Sequence, residues 1–253
     1  MNEEAAFLNA IFANPDDDAP RLIYADWLEE RDDPKGEFIR LQCKHANQWF
    51  QALSISGDKD CARMEYLEKT HGASWVQQAP KLPGLNWRLW RGFPSWIHVQ
   101  SWQALSQHLQ VIFQAAPVEY LTIERLNLAG ARALAKSPYL ERIRVLDLAY
   151  GAIGTLGALR ALLASPALAK LQTLRLFHSN HGDALAIELA KCPYLSGLKL
   201  LSLYSSEVDD AGAYALARSP YLKTVGFIEL SRNRFGDDAE AELEETFGDR
   251  INT

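Results

Sequence analysis

Two histidines and an aspartate lie close together in one predicted turn, at His178, His181 and Asp183. Imidazole and carboxylate groups are ligands for transition metals, so this spacing could form part of a metal site. A protein metal site needs three or four converging ligands, and the neighbouring sequence supplies no further one. Exposed turn histidines are therefore the favoured interpretation, and the metal site is the alternative.

Four aspartates near the N-terminus, Asp16, Asp17, Asp18 and Asp26, could bind a hard cation through their oxygens. They lack the spacing of a calcium loop, and the first three directly precede a predicted helix. Capping of that helix by Asp17 or Asp18 is the favoured interpretation. Arg21 and Asp26 could also tie helices together through buried polar contacts.

Local catalytic motifs are absent from the sequence. It contains no phosphate-binding loop, no G-x-S-x-G and no C-x-x-C, and Gly151-x-x-Gly154-x-x-Gly157 does not match the dinucleotide fingerprint. We therefore predict no catalytic residue, no cofactor and no metal. An unrecognised metal-dependent enzyme centred on Asp26 or on the histidine pair stays open, because catalytic residues can be dispersed in a sequence.

The net charge of −6 is unevenly distributed along the 253 residues. Residues 1–80 carry 15 acidic and 8 basic side chains, residues 81–235 carry 10 and 17, and residues 236–253 carry 7 and 1. The basic middle segment could bind nucleic acid or an acidic partner. Its basic residues are spread over helices and turns, and the pI of about 5.6 is acidic, so nucleic-acid binding is the weaker hypothesis.

The composition predicts a cytoplasmic protein that does not span a membrane. No apolar stretch is long enough for a membrane helix, and the acidic N-terminus lacks the features of a signal peptide. The three cysteines, Cys43, Cys61 and Cys192, are widely spaced and odd in number, which favours reduced thiols over a disulfide framework.

The second half of the chain repeats a Pro-x-Leu phrase at Pro138, Pro166, Pro193 and Pro220, with spacings of 28, 27 and 27 residues. Each copy continues into a short strand with alternating apolar residues, a polar turn and an alanine-rich helix. Asp183, for example, is expected to cap the helix formed by residues 184–190. Six parallel strands are predicted, at residues 96–99, 120–123, 145–148, 173–176, 200–203 and 227–230.

The strand register divides the side chains between a buried face and an inner, concave face. We predict that the concave face binds a partner, because exposed aromatic and arginine side chains are typical of protein-binding surfaces. A register error of one residue would invert this assignment, and the N-terminal helices could cover part of it. The predicted partner-binding residues are Trp96, His98, Tyr120, Thr122, Glu124, Asp147, Thr173, Arg175, Phe177, Ser202, Tyr204, Phe227, Glu229 and Ser231.

This period and the L-x-x-L-x-L phrase resemble leucine-rich repeats of the ribonuclease-inhibitor type, over about residues 118–247. The resemblance implies an α/β solenoid, a horseshoe with a parallel inner sheet and outer helices. The last helix, residues 238–246, is highly acidic and is expected to form the C-terminal cap.

The sequence predicts helices at residues 3–13, 21–31 and from residue 38 to as far as residue 52, and a fourth helix at residues 61–70. About residues 3–50 resemble the bacterial repeat-companion domain, a small all-α module attached to leucine-rich repeats. The resemblance rests on Pro15-x-Asp17-Asp18-x-Pro20-Arg21-Leu22-x-Tyr24-Ala25-Asp26-Trp27-Leu28-Glu29-Glu30-Arg31 and on Asp33-Pro34-x-Gly36-Glu37-Phe38-Ile39-Arg40-Leu41-Gln42. It implies architecture and an association with repeats, and nothing more.

Together these features predict three parts: a helical domain at residues 1–80, a bridge at 81–92 and a solenoid at 93–253. All seven tryptophans precede residue 103, as expected for two differently built units. The predicted function is non-enzymatic protein–protein interaction, in which the concave face binds an unidentified protein. Nucleic-acid or acidic-partner binding and metal-dependent catalysis are the alternatives.

Overall fold

The structure is a computed structural model that describes residues 3–46 and 59–253. It is a mixed α/β fold with two compact units, Met1–His98 with His108–Glu119 and Val99–Gln107 with Tyr120–Thr253. Among the described residues, every helix is too short or too polar to cross a membrane.

The first unit begins with helices whose limits follow the proline and aspartate breaks in the sequence. The all-α character predicted for the N-terminal segment is confirmed through residue 46, and the extension of the third helix to residue 52 lies outside the described residues. Pro20 lies in the first turn of the second helix and Pro34 begins the third, where a missing backbone N–H costs nothing. The helices are α1 (Glu3–Ala13), α2 (Ala19–Glu29), α3 (Pro34–Ala46) and α4 (Lys59–Val76).

Two apolar clusters hold these helices together. In the first, Tyr24 and Leu28 of α2 pack with Ile39 of α3. In the second, Phe38 of α3 packs with Leu67 of α4. Gly36 permits the close approach of α2 and α3, because a Cβ at that position would lie 2.6 Å from the Ala25 carbonyl oxygen.

Residues 81–92, predicted as a bridge, contain a strand that was not predicted from the sequence. Strand β1 (Leu85–Trp90) and strand β2 (Phe93–Val99) are neighbours joined by two residues, a link short enough only for an antiparallel hairpin. Arg91 and Gly92 both have positive φ, 53° and 82°, as a type I′ turn requires. The turn lacks the Asn-Gly or Asp-Gly pair that would have revealed it in the sequence. Helix α6 (Leu109–Ala115) completes this unit.

The second unit alternates short parallel strands with helices, in the order of the sequence. All the predicted strands of this unit are present, and an unpredicted two-residue strand pairs with β7 after the acidic helix. The strands are β3 (Tyr120–Ile123), β4 (Val145–Asp147), β5 (Thr173–Arg175), β6 (Leu200–Ser202), β7 (Phe227–Glu229) and β8 (Ile251–Asn252). The helices are α5 (Trp102–Ser106), α7 (Leu128–Ala135), α8 (Leu156–Leu163), α9 (Gly182–Ala190), α10 (Asp210–Ala217) and α11 (Asp237–Phe247).

One apolar side chain from the middle of each strand forms a continuous row in the core. The residues are in register, Leu121 with Leu146, Leu146 with Leu174 and onward, and each is at most 1% exposed. The row consists of Leu121, Leu146, Leu174, Leu201 and Ile228. The predicted strand register is therefore confirmed between β3 and β7.

Within the second unit, polar side chains connect each strand–helix pair to the next pair. The hydroxyls of Ser165 and Ser219 donate to the carbonyl oxygens of Ala135 and Ala190, both at 2.6 Å. The thiol of Cys192 stands at the corresponding position before Pro193 and lies 3.4 Å from the Leu163 carbonyl oxygen. Burial raises the pKa of this thiol, so it stays protonated and can donate.

We expect Ser219→Ala to lower the free energy of unfolding by about 1–2 kcal/mol, because it leaves the buried Ala190 carbonyl without its donor. Cys192→Ser, which installs the residue used at the equivalent positions, should change it by less than about 1 kcal/mol. Urea unfolding followed by far-UV circular dichroism would measure both. Equal losses in the two variants would contradict this role for the hydroxyl.

The predicted capping role of Asp183 is wrong in its target. Asp183 lies inside the first turn of α9, and its Oδ1 accepts from the backbone N–H groups of Asp209 and Gly212, both at 2.8 Å. It therefore caps α10, the next helix, rather than its own. A Cβ at Gly212 would lie 2.5 Å from this oxygen, so glycine is needed where the two helices meet.

Candidate functional site

The residues predicted to bind a partner differ widely in exposure. Trp96 and His98 lie on β2 of the first unit and are half-buried, and the other twelve belong to the second unit. Of those twelve, one is exposed (Glu124) and six are half-buried (Thr122, Arg175, Phe177, Tyr204, Phe227 and Ser231). Five are buried: Tyr120, Asp147, Thr173, Ser202 and Glu229.

A hydrogen-bonded group on β3, β4 and β5 explains three members of this set. Arg175 donates to the Tyr120 hydroxyl oxygen at 3.1 Å, and that hydroxyl donates to Asp147 Oδ2 at 3.4 Å. Burial raises the pKa of Tyr120 to about 12, so the phenol keeps the proton that it donates. Tyr120 and Asp147 therefore position Arg175 and offer almost no contact area themselves.

Glu229 is likewise engaged inside the unit. Its carboxylate accepts from the Asn252 side-chain amide at 2.9 and 3.2 Å and from the Ser231 backbone N–H at 2.9 Å. Asn252 of β8 thus supplies hydrogen-bond donors to the buried Glu229 carboxylate at the end of the sheet. Thr173 is fully buried, and within the described residues its hydroxyl has no hydrogen-bond partner.

An aromatic cluster lies directly beyond the carboxyl ends of β4, β5 and β6. The ring of His178 stacks on Tyr150 at 5.2 Å between centroids and meets Tyr204 edge-on at 5.5 Å. Phe177 contacts Tyr150 edge-on at 5.0 Å. The guanidinium of Arg232 lies over the Tyr204 ring at 5.4 Å. We call Tyr150, Phe177, His178, Tyr204 and Arg232 the aromatic cluster.

The backbone places these side chains in a row through an unusual conformation. Tyr150, His178, Ser205 and Arg232 each lie three residues after the last residue of a strand, and their φ angles are 56°, 54°, 51° and 60°. The N–H groups of Tyr150 and His178 donate to the carbonyls of Phe177 and Tyr204, which continues the strand ladder into the turns. A left-handed conformation is unfavourable for residues with a Cβ, and each instance costs about 1 kcal/mol or more. Three of these four positions, Tyr150, His178 and Arg232, therefore carry a large side chain where glycine would be less strained.

The aromatic cluster is accessible and is bordered by positive charge. Tyr150 is 76% exposed, the largest value among the exposed large apolar side chains. His178 and Arg232 are also exposed, and Arg175, Phe177 and Tyr204 are half-buried. An arrangement of tyrosine, histidine and arginine with this exposure offers a flat apolar surface with polar donors at its edge.

Sequence reasoning missed Tyr150, His178 and Arg232 as surface contributors. His178 was interpreted as an exposed turn histidine or, alternatively, a metal ligand, and Tyr150 and Arg232 lie beyond the strand ends, where the alternation of side chains stops. Their common position three residues after each strand was a usable signal, since the strands align at a fixed period. The left-handed backbone that presents them has no signature in residue types such as tyrosine and arginine.

The two histidines considered as metal ligands serve separate contacts. His178 is part of the aromatic cluster, and His181 Nε2 lies 2.8 Å from the Ile153 carbonyl oxygen. Among the described residues, no group of three or more histidine, cysteine, aspartate or glutamate side chains is arranged to hold a metal ion.

The N-terminal aspartates contact backbone amides and arginines. Asp17 Oδ1 accepts from the backbone N–H of Ala19 at 2.9 Å, and Asp18 accepts from Arg91 Nε at 2.7 Å. Asp18 is the residue preceding α2, but its side chain makes no capping bond. Asp26 pairs with Arg40 of α3 and ties the two helices together, but the side chains are 64% and 44% exposed, so the contact is not the buried one that was predicted.

Comparison of the chain with protein-family models finds no match, and comparison with curated proteins finds none either.

Proposed function

We propose that this chain is a non-enzymatic protein-binding module whose contact surface is centred on the aromatic cluster. Arg175, Phe227 and Ser231, from the predicted set, extend that surface along the strands. The observation that carries the proposal is the exposed, contiguous row of aromatic side chains at the ends of three neighbouring strands.

The proposal includes the identity of the two units. The second unit is a leucine-rich repeat solenoid of the ribonuclease-inhibitor type, and the helices of the first unit are a repeat-companion domain. Support comes from the 27- and 28-residue period, the parallel strands with one helix after each, and the buried row of leucines. In a solenoid of this kind the strand face is concave and extended, so the aromatic cluster lies at its edge.

Two physical arguments favour contact over a purely structural role. Residues with a strained backbone conformation cluster at binding sites. A position that served only folding could carry glycine, which adopts a positive φ at lower energetic cost. Tyrosine and arginine are also the residues most enriched among those that dominate binding energies. The exposed tyrosine and the arginine on the Tyr204 ring satisfy both descriptions.

The test uses glycine to separate binding from folding. We expect Tyr150→Gly with His178→Gly to change the free energy of unfolding by less than about 1 kcal/mol, because relief of two left-handed residues offsets the lost ring contacts. The same variant should lower the amount of partner captured from an extract of the source cells by more than about tenfold. Mass spectrometry of the captured proteins and urea unfolding supply the two measurements.

Tyr221→Ala is the matched control, since Tyr221 is 37% exposed but lies outside the aromatic cluster. It should leave capture unchanged. A second variant, Arg175→Ala with Phe177→Ala and Tyr204→Ala, should lose the same partner as the glycine variant. Equal capture by the intact protein and both cluster variants would refute the proposed site.

A further inference from the structure

A groove lies between α7 and α8, on the helices of the second unit, and its volume is about 590 Å³. Its floor consists of small or apolar residues that keep it shallow and open, among them Ala135, Gly157 and Ala161. Three basic side chains line it, Arg132, Lys136 and Arg160, and no acidic residue does. The groove therefore combines an apolar floor with an excess of positive charge.

Part of the positive charge of the groove arises because two arginines occupy equivalent positions on the successive helices α7 and α8. Arg132 precedes Pro138 by six residues, and Arg160 precedes Pro166 by the same distance. At two later helix junctions, α8–α9 and α10–α11, opposite charges meet instead: Arg160 Nη2 lies 3.1 Å from Glu188 Oε1, and Arg218 Nε lies 2.6 Å from Glu242 Oε1. Within residues 3–46 and 59–253, Arg132 and Lys136 have no ion-pair partner.

The same chain carries a helix with the complementary properties. Helix α11 displays exposed carboxylates at Asp237, Asp238, Glu244 and Glu245, and none of the four has an ion-pair partner in the described part of the chain. Asp238, Ala241 and Glu245 are spaced i, i+3 and i+7, so they share one side of the helix. The exposed alanine between the carboxylates lets this side approach a shallow floor closely.

We propose that the groove between α7 and α8 binds the acidic side of α11 from a second copy of the chain. Arg132 and Lys136 face the unpaired carboxylates, Arg160 stays paired with Glu188, and Ala241 packs on the alanine and glycine floor. The two surfaces lie on different parts of one molecule, so the contact is heterologous. Copies can then add head to tail instead of closing as a symmetric dimer.

Sedimentation velocity of the intact protein tests this at increasing concentration and at two ionic strengths. We expect the weight-average mass to rise with concentration at low salt and to fall to that of the monomer at about 1 M salt, where the screening length is about 3 Å. A monomer at every concentration and at both ionic strengths would overturn the proposal.

Charge reversal on each surface identifies the contact. Arg132→Glu with Lys136→Glu, and separately Glu244→Lys with Glu245→Lys, should each weaken association about tenfold or more. Both changes are on exposed positions, and lysine suits the C-terminal turn of α11, so folding should be preserved. An equimolar mixture of the two variants should regain association, because each supplies the surface that the other needs.

Two other results would overturn the proposal. Association that both reversals leave unchanged would place the interface elsewhere. A monomeric protein that binds an acidic helical peptide or phosphatidylserine vesicles, with loss of binding in the Arg132→Glu, Lys136→Glu variant, would assign the groove to a different occupant. None of these measurements involves the aromatic cluster, so they leave the proposed protein-binding function to be judged separately.

Discussion

Glu119→Gln is expected to destabilise the first unit by about 3–5 kcal/mol, because it removes the charge that compensates two buried arginines. Arg21 Nη2 lies 2.7 Å from Glu119 Oε1, and Arg91 Nη1 lies 3.1 Å from Oε2. Arg21 is fully buried, Arg91 is 7% exposed and Glu119 is 2% exposed. Water therefore has little access to replace the missing charge.

The rest of this cluster cannot take over from the carboxylate. Arg21 also donates to the carbonyl oxygens of Pro15 and Asp17, and Arg91 donates to those of Pro15 and Asp16. These carbonyls are neutral and fix the turn before α2 in place. Asp18, bonded to Arg91, is the other carboxylate in contact, and its side chain is 34% exposed. One partly hydrated carboxylate would then face two guanidinium groups.

Urea unfolding followed by tryptophan fluorescence measures this effect selectively, since every tryptophan except Trp102 belongs to the first unit. The matched control is Glu37→Gln, which breaks the bidentate pair with Arg63 at 2.7 and 2.8 Å. Both partners of that pair are more than 40% exposed, so the loss should be under about 1 kcal/mol. If the two substitutions cost the same, the buried cluster does not stabilise the unit as described.

The contrast between the strands and this cluster shows what the sequence could predict. Strands β3 to β7 were predictable, because each places apolar residues at every second position and the pattern recurs at a nearly fixed period. Arg21 and Glu119 are 98 residues apart, and although a buried polar contact was expected as one possibility for Arg21, nothing in the sequence indicated Glu119 as its partner. Pairing over such a distance is decided by packing, which a single sequence does not encode locally.

The candidate site was also only partly predictable from the sequence. The alternation of side chains correctly separated Leu174 and Leu201 from the opposite face. It gave no information on how exposed that face is, and Thr173 and Ser202 are buried. Contacts between successive helices of the second unit were also not predicted. Asp183 was expected to cap its own helix, because capping statistics describe local sequence, yet its carboxylate accepts a hydrogen bond from the next helix.

Asn233→Ala is expected to lower the free energy of unfolding of the second unit by about 3 kcal/mol, because one side chain satisfies four backbone groups. Its Nδ2 donates to the carbonyl oxygens of Leu203 at 2.9 Å and Leu230 at 2.5 Å. Its Oδ1 accepts from the N–H groups of Ser206 and Val208, both at 3.0 Å. Alanine leaves all four without these bonds, three of them in the segment between β6 and α10 and the Leu230 carbonyl directly after β7.

Two further substitutions at this position separate its donors from its acceptor. Asn233→Asp keeps an oxygen for the Ser206 and Val208 amides but loses both donors to the carbonyls. Asn233→Ser imitates the equivalent position after β6, Ser206. There the hydroxyl donates to the Leu176 carbonyl at 3.1 Å and lies 3.4 Å from the Ser179 amide. We expect stability to fall in the order asparagine, serine, alanine, since serine can replace one donor and one acceptor.

Hydrogen exchange resolves which bonds carry the effect. In Asn233→Ala the amides of Ser206 and Val208 should exchange faster, whereas in Asn233→Asp they should stay protected even if the unit is less stable overall. Faster exchange at both amides in the aspartate variant would mean that the donors to Leu203 and Leu230 hold the turn together. Unchanged exchange in the alanine variant would mean that the ladder through β6 and β7 orders this turn without the asparagine. The asparagine side chain would then be dispensable to the fold, and the strained row that begins at Tyr150 would owe its geometry to backbone pairing alone.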